Sequence, residues 1–398
     1  MTNLEQDWLD PVEETSLGGE GPGEADSGCD DDGVPRTESV AAWLDLPGRP
    51  GGLDPRSRVG WLLATLRFSR GDGSPVFGPR GRRAARVRSL AAWADRLGDA
   101  SLARVAGEWA ASGGGGSAGP ASSAPWPVAS HSCADRALAI LRPDWSARGD
   151  LVAIDHRAAG VVSHLEVGSK GRAWLGPTWS SPRPSGRASP AVPSFWASGP
   201  YSDCVEWSYQ VGRTRTTRTA ALIKGQGLAL LAQQDEGPGP AIEARFAIPE
   251  GIEAIPDPEL RGLTLSSGRG RPVARMIPLG LPCSPYRTER GSIEVEGREV
   301  VVRQASGGRR RWLAVLLSWE RAAASWRSLT VASRSKACPS DVAFAARVAW
   351  KQRGGALVVY RSLAPGDLRT FLGHQTRARF LVGSFDPLGD VRPLLKVE

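Results

Sequence analysis

Four histidines and a set of aromatic side chains carry most of the chemistry available to this 398-residue chain. Asp155 and His156 stand side by side and would form an acid–base pair if they shared a face. They follow a strand-like run, residues 151–154, and neighbours on a strand point to opposite faces. The pair is therefore expected to end a strand and open a turn. A second set, Trp174, Trp179, Phe195, Trp196, Tyr201 and Trp207, brackets the segment SSPRPSGRASPAVPSFW. With arginines such as Arg172 nearby, these rings suit stacking on sugars and pairing with carboxylates or sulfates. The competing reading is that they seal a long loop onto a core. His374, in FLGHQTR, precedes a strand and has no partner in the sequence.

Other chemistries lack their motifs. There is no phosphate-binding glycine loop, dinucleotide fingerprint, nucleophile elbow or HExxH pair. The five cysteines, Cys29, Cys133, Cys204, Cys283 and Cys338, are odd in number and widely spaced, without a CxxC pair. That pattern suits reduced structural thiols better than a disulfide framework or a zinc site, and no cofactor is expected. Residues 1–40 hold twelve acids and one Arg, so the other 49 basic residues face only 30 acids in the rest of the chain. An acidic head thus precedes a basic body that would attract anionic polymers. The basic residues are dispersed, with short clusters only at Arg80, Arg82 and Arg83 and at Arg309, Arg310 and Arg311. Neither cluster forms a nucleic-acid motif. The first thirty residues lack an apolar core and no run approaches a membrane span, so a cytoplasmic protein without membrane contact is expected.

The elements that would position these residues fall into four regions. Residues 1–40 are too polar to offset the entropy of ordering and are expected to be disordered. Residues 41–111 read as a small helical unit. Leu90, Trp93, Leu97, Leu102, Val105 and Trp109 fall on one helical face, and Gly98-Asp99 breaks it in two. Residues 112–135, rich in Gly, Pro and Ser, read as a linker. From residue 136 to 398, short alternating strands recur between Gly, Pro and Asp turns. That predicts a mainly β fold, a large antiparallel sandwich of several sheets. EVEGREVVV and VAWKQRGGALVVY read as hairpins, and Thr216 and Arg218 would share one face of a half-exposed strand. RPDWSARGDLVAIDH, residues 142–156, reads as a structural edge of the sandwich, its strand pair set by Trp145 and a Gly149-Asp150 turn.

The order of these strands resembles the β-domain of heparinase II/III-type polysaccharide lyases. Arg142 and Trp145, His164, Gly171-Arg172, Arg218-Thr219 and Gly225 to Gly227 occupy the matching places, most clearly over residues 136–250. The resemblance implies a sandwich fold and an acidic glycan as ligand. The family carries His-x-His-x-Asp on its second strand, where this chain reads Val162-Ser163-His164-Leu165-Glu166. His164 and Glu166 would need distant partners to complete a metal site, which takes three or four ligands. The family also places its catalytic Tyr, with Asn or His, on a helical toroid of several hundred residues. The helical stretch here is about seventy residues, and no Tyr occurs before Tyr201 or His before His131.

The expectation is a non-catalytic β-sandwich protein that binds an acidic glycan or assembles with another protein chain. The alternative is a lyase that performs β-elimination on uronate polysaccharides, with His164 and Tyr201 as its candidates. Such a reaction must neutralise the carboxylate and supply a base, and Tyr serves as base where a cation lowers its pKa. A third, weaker reading is a general anionic-polymer or nucleic-acid binder.

Overall fold

A computed structural model describes residues 55–77, 83–111, 125–134, 137–157, 161–182, 188–268, 270–281, 291–305, 308–319, 324–350, 355–366, 368–386 and 388–398. The acidic head and residues 112–124 of the expected linker lie outside them. So do residues 183–187 of the Pro/Ser-rich segment, residues 351–354 of the Gly-Gly hairpin, Cys29 and Cys283.

Three helices come first: α1 (Pro55–Arg67), α2 (Arg83–Leu97) and α3 (Ala100–Ala111). Gly98 takes a φ of 67°, the left-handed conformation that ends α2 at no steric cost. Asp99 then caps α3, its Oδ1 accepting the N–H groups of Ser101 and Leu102 at 2.9 Å. Leu62, Leu66, Leu90, Leu102, Val105 and Trp109 close a small apolar core between the helices.

The rest is antiparallel sheet, stacked in layers. The first sheet has nine strands, among them Leu138–Leu141, Leu151–Asp155, Val162–Ser169, Thr178–Ser180, Ala241–Ala247 and Glu299–Ala305. The second has eight, with Arg310–Ser318, Leu228–Glu236, Thr214–Ile223 and Ser202–Val211 at its centre and Val192–Ser198 at one edge. A five-stranded third sheet includes Ala343–Trp350, Ala356–Ser362 and Phe380–Phe385. A small fourth sheet carries Arg369–Phe371 and His374–Thr376. The expected tight hairpin in EVEGREVVV is present: Glu296 pairs with Glu299, and Gly297 takes a φ of 60°.

The centre of the second sheet is buried on both faces. Along Leu228–Glu236, Ala229 and Leu231 enter the core shared with the first sheet, where Val152, Ile154, Trp179 and Phe246 wait. Leu228, Leu230 and Ala232 face the third sheet and meet Val348, Leu357, Val359 and Phe380. The period-two alternation thus feeds two cores instead of one core and water. Thr214–Ile223, read as half-exposed, is corrected by this layering: Arg218 is fully buried. Its guanidinium donates to Ser163 Oγ (3.0 Å), Trp179 O (3.1 Å), Val161 O (2.9 Å), Ser181 Oγ (2.9 Å) and Gln233 Oε1 (3.3 Å). It lies 4.9 Å from the Trp179 ring. All five donors are used, which is what makes a buried cation tolerable.

The outer face of the first sheet is covered by residues 68–77, through Phe68, Val76 and Phe77 on Leu138, Ile140, Leu151 and Ala153. The helices and the four sheets belong to one compact unit.

Candidate functional site

The layered packing disperses much of the set that the sequence nominated. Trp179 and Trp207 are completely buried between the first two sheets and meet edge to face at 5.6 Å. Trp174 is 3% exposed and packs at 4.9 Å on Trp319. None of these three rings offers a face to a sugar, so their assignment as stacking residues is corrected: they are core. Phe195 and Trp196 are half-buried on opposite sides of an edge strand and lean on different cores. Arg172 is exposed and lines a small crevice beside Gly171. Tyr201 is 60% exposed, at the turn into Ser202–Val211.

His164 and Glu166 share the outer face of the first sheet, beneath residues 68–77. Glu166 is held by Arg70, Nε to Oε1 and Nη2 to Oε2 both at 2.6 Å, and accepts the Phe77 N–H at 3.2 Å. Arg70 also donates to Ser74 Oγ and the Pro75 carbonyl. The carboxylate proposed as a metal ligand is therefore the clasp that ties residues 70–77 to the sheet. Among the described residues no three His, Cys, Asp or Glu side chains gather to hold a metal. His164 is 3% exposed with Phe77 at 5.9 Å, and burial lowers its pKa. It lies in a different layer from Tyr201, so the two catalytic candidates do not converge.

Asp155 and His156 do end a strand and do point apart. Asp155 pairs with Arg157 at 2.7 Å, while His156 stacks on Trp207 at 5.5 Å. Burial pushes the His156 imidazole down to about 4, which keeps it neutral in the core at ordinary pH.

One opening lies where the helices meet the sandwich. It measures about 520 Å³ and is lined by Glu108 of α3, Trp126, Arg142, Asp144, Trp145 and Lys224. Residues 142–146, the start of the stretch 142–156 read as a structural edge, are both edge and wall. Trp145 is 3% exposed, donates Nε1–H to the Pro127 carbonyl (2.6 Å) and accepts the Trp109 Nε1–H on its own carbonyl (2.7 Å). Arg142 lies between the Trp109 and Trp145 rings, at 5.7 and 5.6 Å, and donates to the Ser69 carbonyl at 2.8 Å. Burial lowers its pKa to about 10, so it remains a cation at neutral pH.

Two further groups give the cleft its character. Trp126 is 42% exposed, with the Arg104 guanidinium 4.1 Å from its ring centroid. Lys224 reaches in from a hairpin turn, its Nζ anchored at 2.8 Å on the fully buried Asp203 carboxylate. Asp203 also accepts from Ser130 Oγ and Ser198 Oγ, both at 2.6 Å. Lys224 accepts nothing and donates from a fixed position; its backbone N–H bonds the Tyr201 carbonyl at 2.9 Å. An open indole with cations beside it can stack on a sugar ring while pairing with the ring's acidic substituents. Sequence reasoning missed this group. The available signal was an isolated Trp between two prolines, APWPV, inside a stretch read as linker.

No protein-family profile matches this chain, and no curated protein matches it in sequence. Among solved structures, the heparan sulfate lyase HepC from Pedobacter heparinus is similar, with a TM-score of 0.56 and 13% identity. The match covers 83% of this chain, more than the strand-built region at residues 136–398 alone. It covers 58% of the lyase, so this chain spans less than two thirds of that protein's length. The fold is heparinase-like.

Proposed function

We propose that this protein is a non-catalytic binding module that holds an acidic glycan in the cleft between its helices and its sandwich. The observation that carries this reading is the exposed Trp126 indole, flanked by Arg104, with the anchored Lys224 lining the same cleft. The indole supplies a platform for a pyranose face, and the cations neutralise its carboxylate or sulfate. Heparan sulfate, named for the HepC lyase, is an acidic glycan of the class this chemistry suits.

A panel of uronate-containing and sulfated polysaccharides tests it, scored for binding by calorimetry and for unsaturated product by ultraviolet absorbance. Binding without product is expected, with Trp126→Ala weakening it by about tenfold, the scale of one lost aromatic contact. Undiminished binding by that variant would remove the cleft from the reading.

A second reading, lyase activity, draws on the exposed Tyr201 beside Lys224. In β-elimination, a cation neutralises the uronate carboxylate while a phenolate takes the α-proton. Product that disappears in Tyr201→Phe, with binding intact, would establish this reading over the non-catalytic one.

A further inference from the structure

A second opening lies on the far side of the second sheet. Toward the third sheet, the strands of the second sheet begin apolar, with Ala221, Ile223, Leu228, Leu230 and Ala232. On the same face they then turn polar, with Thr219, Thr217 and Arg215 on one strand and Gln234 and Glu236 on its neighbour. Apolar packing between the two sheets stops there, and a cleft of about 410 Å³ opens. Five arginines line it: Arg215, Arg310, Arg361, Arg377 and Arg379. They come from four separate segments, Arg377 and Arg379 sharing one, and three carboxylates, Glu206, Glu236 and Glu398, accompany them.

The floor is built. Glu206, 2% exposed, accepts Arg361 Nη1 at 2.9 Å and Arg379 Nη1 at 2.6 Å. It also accepts Thr219 Oγ1 at 3.0 Å and Ser194 Oγ at 3.3 Å. Arg361 Nε donates to Gln234 Oε1 at 2.9 Å. One carboxylate thus fixes two guanidinium groups, and their combined charge is not cancelled. The Arg379 side chain keeps 39% of its surface exposed, with donors left over. At the rim, Arg310 pairs with Glu236 at 3.1 Å. Arg215 bonds the Ser208 hydroxyl at 3.3 Å and has no carboxylate partner among the described residues. Arg377 is exposed and likewise has none.

We infer that this arginine-lined cleft binds a sulfated sugar unit, as a second anion site separate from the Trp126 cleft. Guanidinium groups held apart by a rigid floor match the oxygens of a sulfate ester with bidentate hydrogen bonds. The volume lies in the range of small-ligand sites, roughly 300–1,000 Å³. The carboxylates choose between anions. A sugar donates hydroxyl hydrogens that Glu236, Glu398 and Gln234 can accept. A nucleic-acid backbone has few such donors and would be repelled by the acids, and among the described residues no aromatic side chain lines the cleft to stack a base. The inference does not depend on the reading of the Trp126 cleft.

The test is calorimetry of the full chain with a sulfated uronate disaccharide, its desulfated counterpart and a single-stranded oligonucleotide. The double variant Arg215→Ala/Arg377→Ala touches only exposed rim residues and is expected to keep the wild-type melting temperature. It should lose at least about tenfold in disaccharide affinity at one site, as expected for two charge-assisted contacts. The desulfated sugar should bind that site correspondingly less, and Trp126→Ala should leave it unchanged. Equal affinity in the double variant would overturn the inference, as would oligonucleotide binding tighter than the disaccharide's and dependent on the same two arginines. Should the double variant melt early, Arg377→Glu alone carries the same test: reversal of one rim charge must weaken the site.

Discussion

At the scale of single residues, this protein uses charge to join layers. Arg218 joins the second sheet to the first, Arg70 clasps residues 70–77 through Glu166, and Glu206 draws Arg361 of the third sheet and Arg379 of the adjoining loop onto the second. Each pair is local in space and remote in sequence; Glu206 and Arg379 are 173 residues apart. That is why the sequence showed the pieces and not the contacts. His164 and Glu166 were legible as a same-face pair by their spacing, but nothing in the spacing marked Arg70 as the partner. Removing Arg218 should be costly. Arg218→Ala leaves a cavity between two sheets and strips one hydrogen-bond donor from each of the Val161 and Trp179 carbonyls. A loss of about 3–5 kcal/mol is expected in urea denaturation, the range for breaking a buried charged network. Arg218→Met, which fills the space without a charge, should lose less. Equal stability of Arg218→Ala and wild type would show that water replaces the guanidinium without penalty.

At the scale of elements, legibility follows the range of the interactions. The break at Gly98-Asp99 was readable because a helix stop and an N-cap are written in adjacent residues. Asp99→Ala should destabilise the protein by about 1 kcal/mol, the usual value of a lost cap, without changing the number of helices seen by circular dichroism. An unchanged melting temperature would mean that the packing of Leu102, Val105 and Trp109 alone holds α3. The stretch at residues 142–150 was half legible: the turn and its Trp were recognised, but not the surface they border. Trp145 spans two elements through its indole N–H and its carbonyl. Trp145→Ala should cost about 3–5 kcal/mol, as for other large buried aromatics, and loosen residues 125–130 against α3. Protease sensitivity confined to that segment would report the loosening; an unaltered cleavage pattern and melting temperature would refute the structural role of this ring.

At the scale of the whole molecule, strand alternation predicted stacked antiparallel sheets correctly but could not say which of them lie inside. A strand buried on both faces and one half exposed share a period of two, and only the neighbours on each side distinguish them. The same layering sets the response to acid. All four histidines have lowered pKa values, burial being the leading cause in each; His131, His156 and His164 lie on or beside strands of the first sheet and His374 on the fourth. His131, beside Arg67, and His156, on Trp207, are both pushed to about 4. In the unfolded chain these groups would take up protons near pH 6.5. As pH falls below about 6.5 the unfolded state therefore binds protons that the folded state refuses, and stability declines until the folded groups titrate near 4. The carboxylate of Glu206 adds nothing to this window: burial would raise its pKa, but Arg361 and Arg379 outweigh that and hold it below the ordinary carboxylate range. Urea midpoints should accordingly fall between pH 7.5 and 5, with most of the change below 6.5. His156→Phe, which keeps the stack on Trp207 and removes the proton site, should flatten part of that slope. A midpoint independent of pH across this range would show that the buried imidazoles are protonated as readily in the folded protein as in water, and that the layers around them are open to solvent.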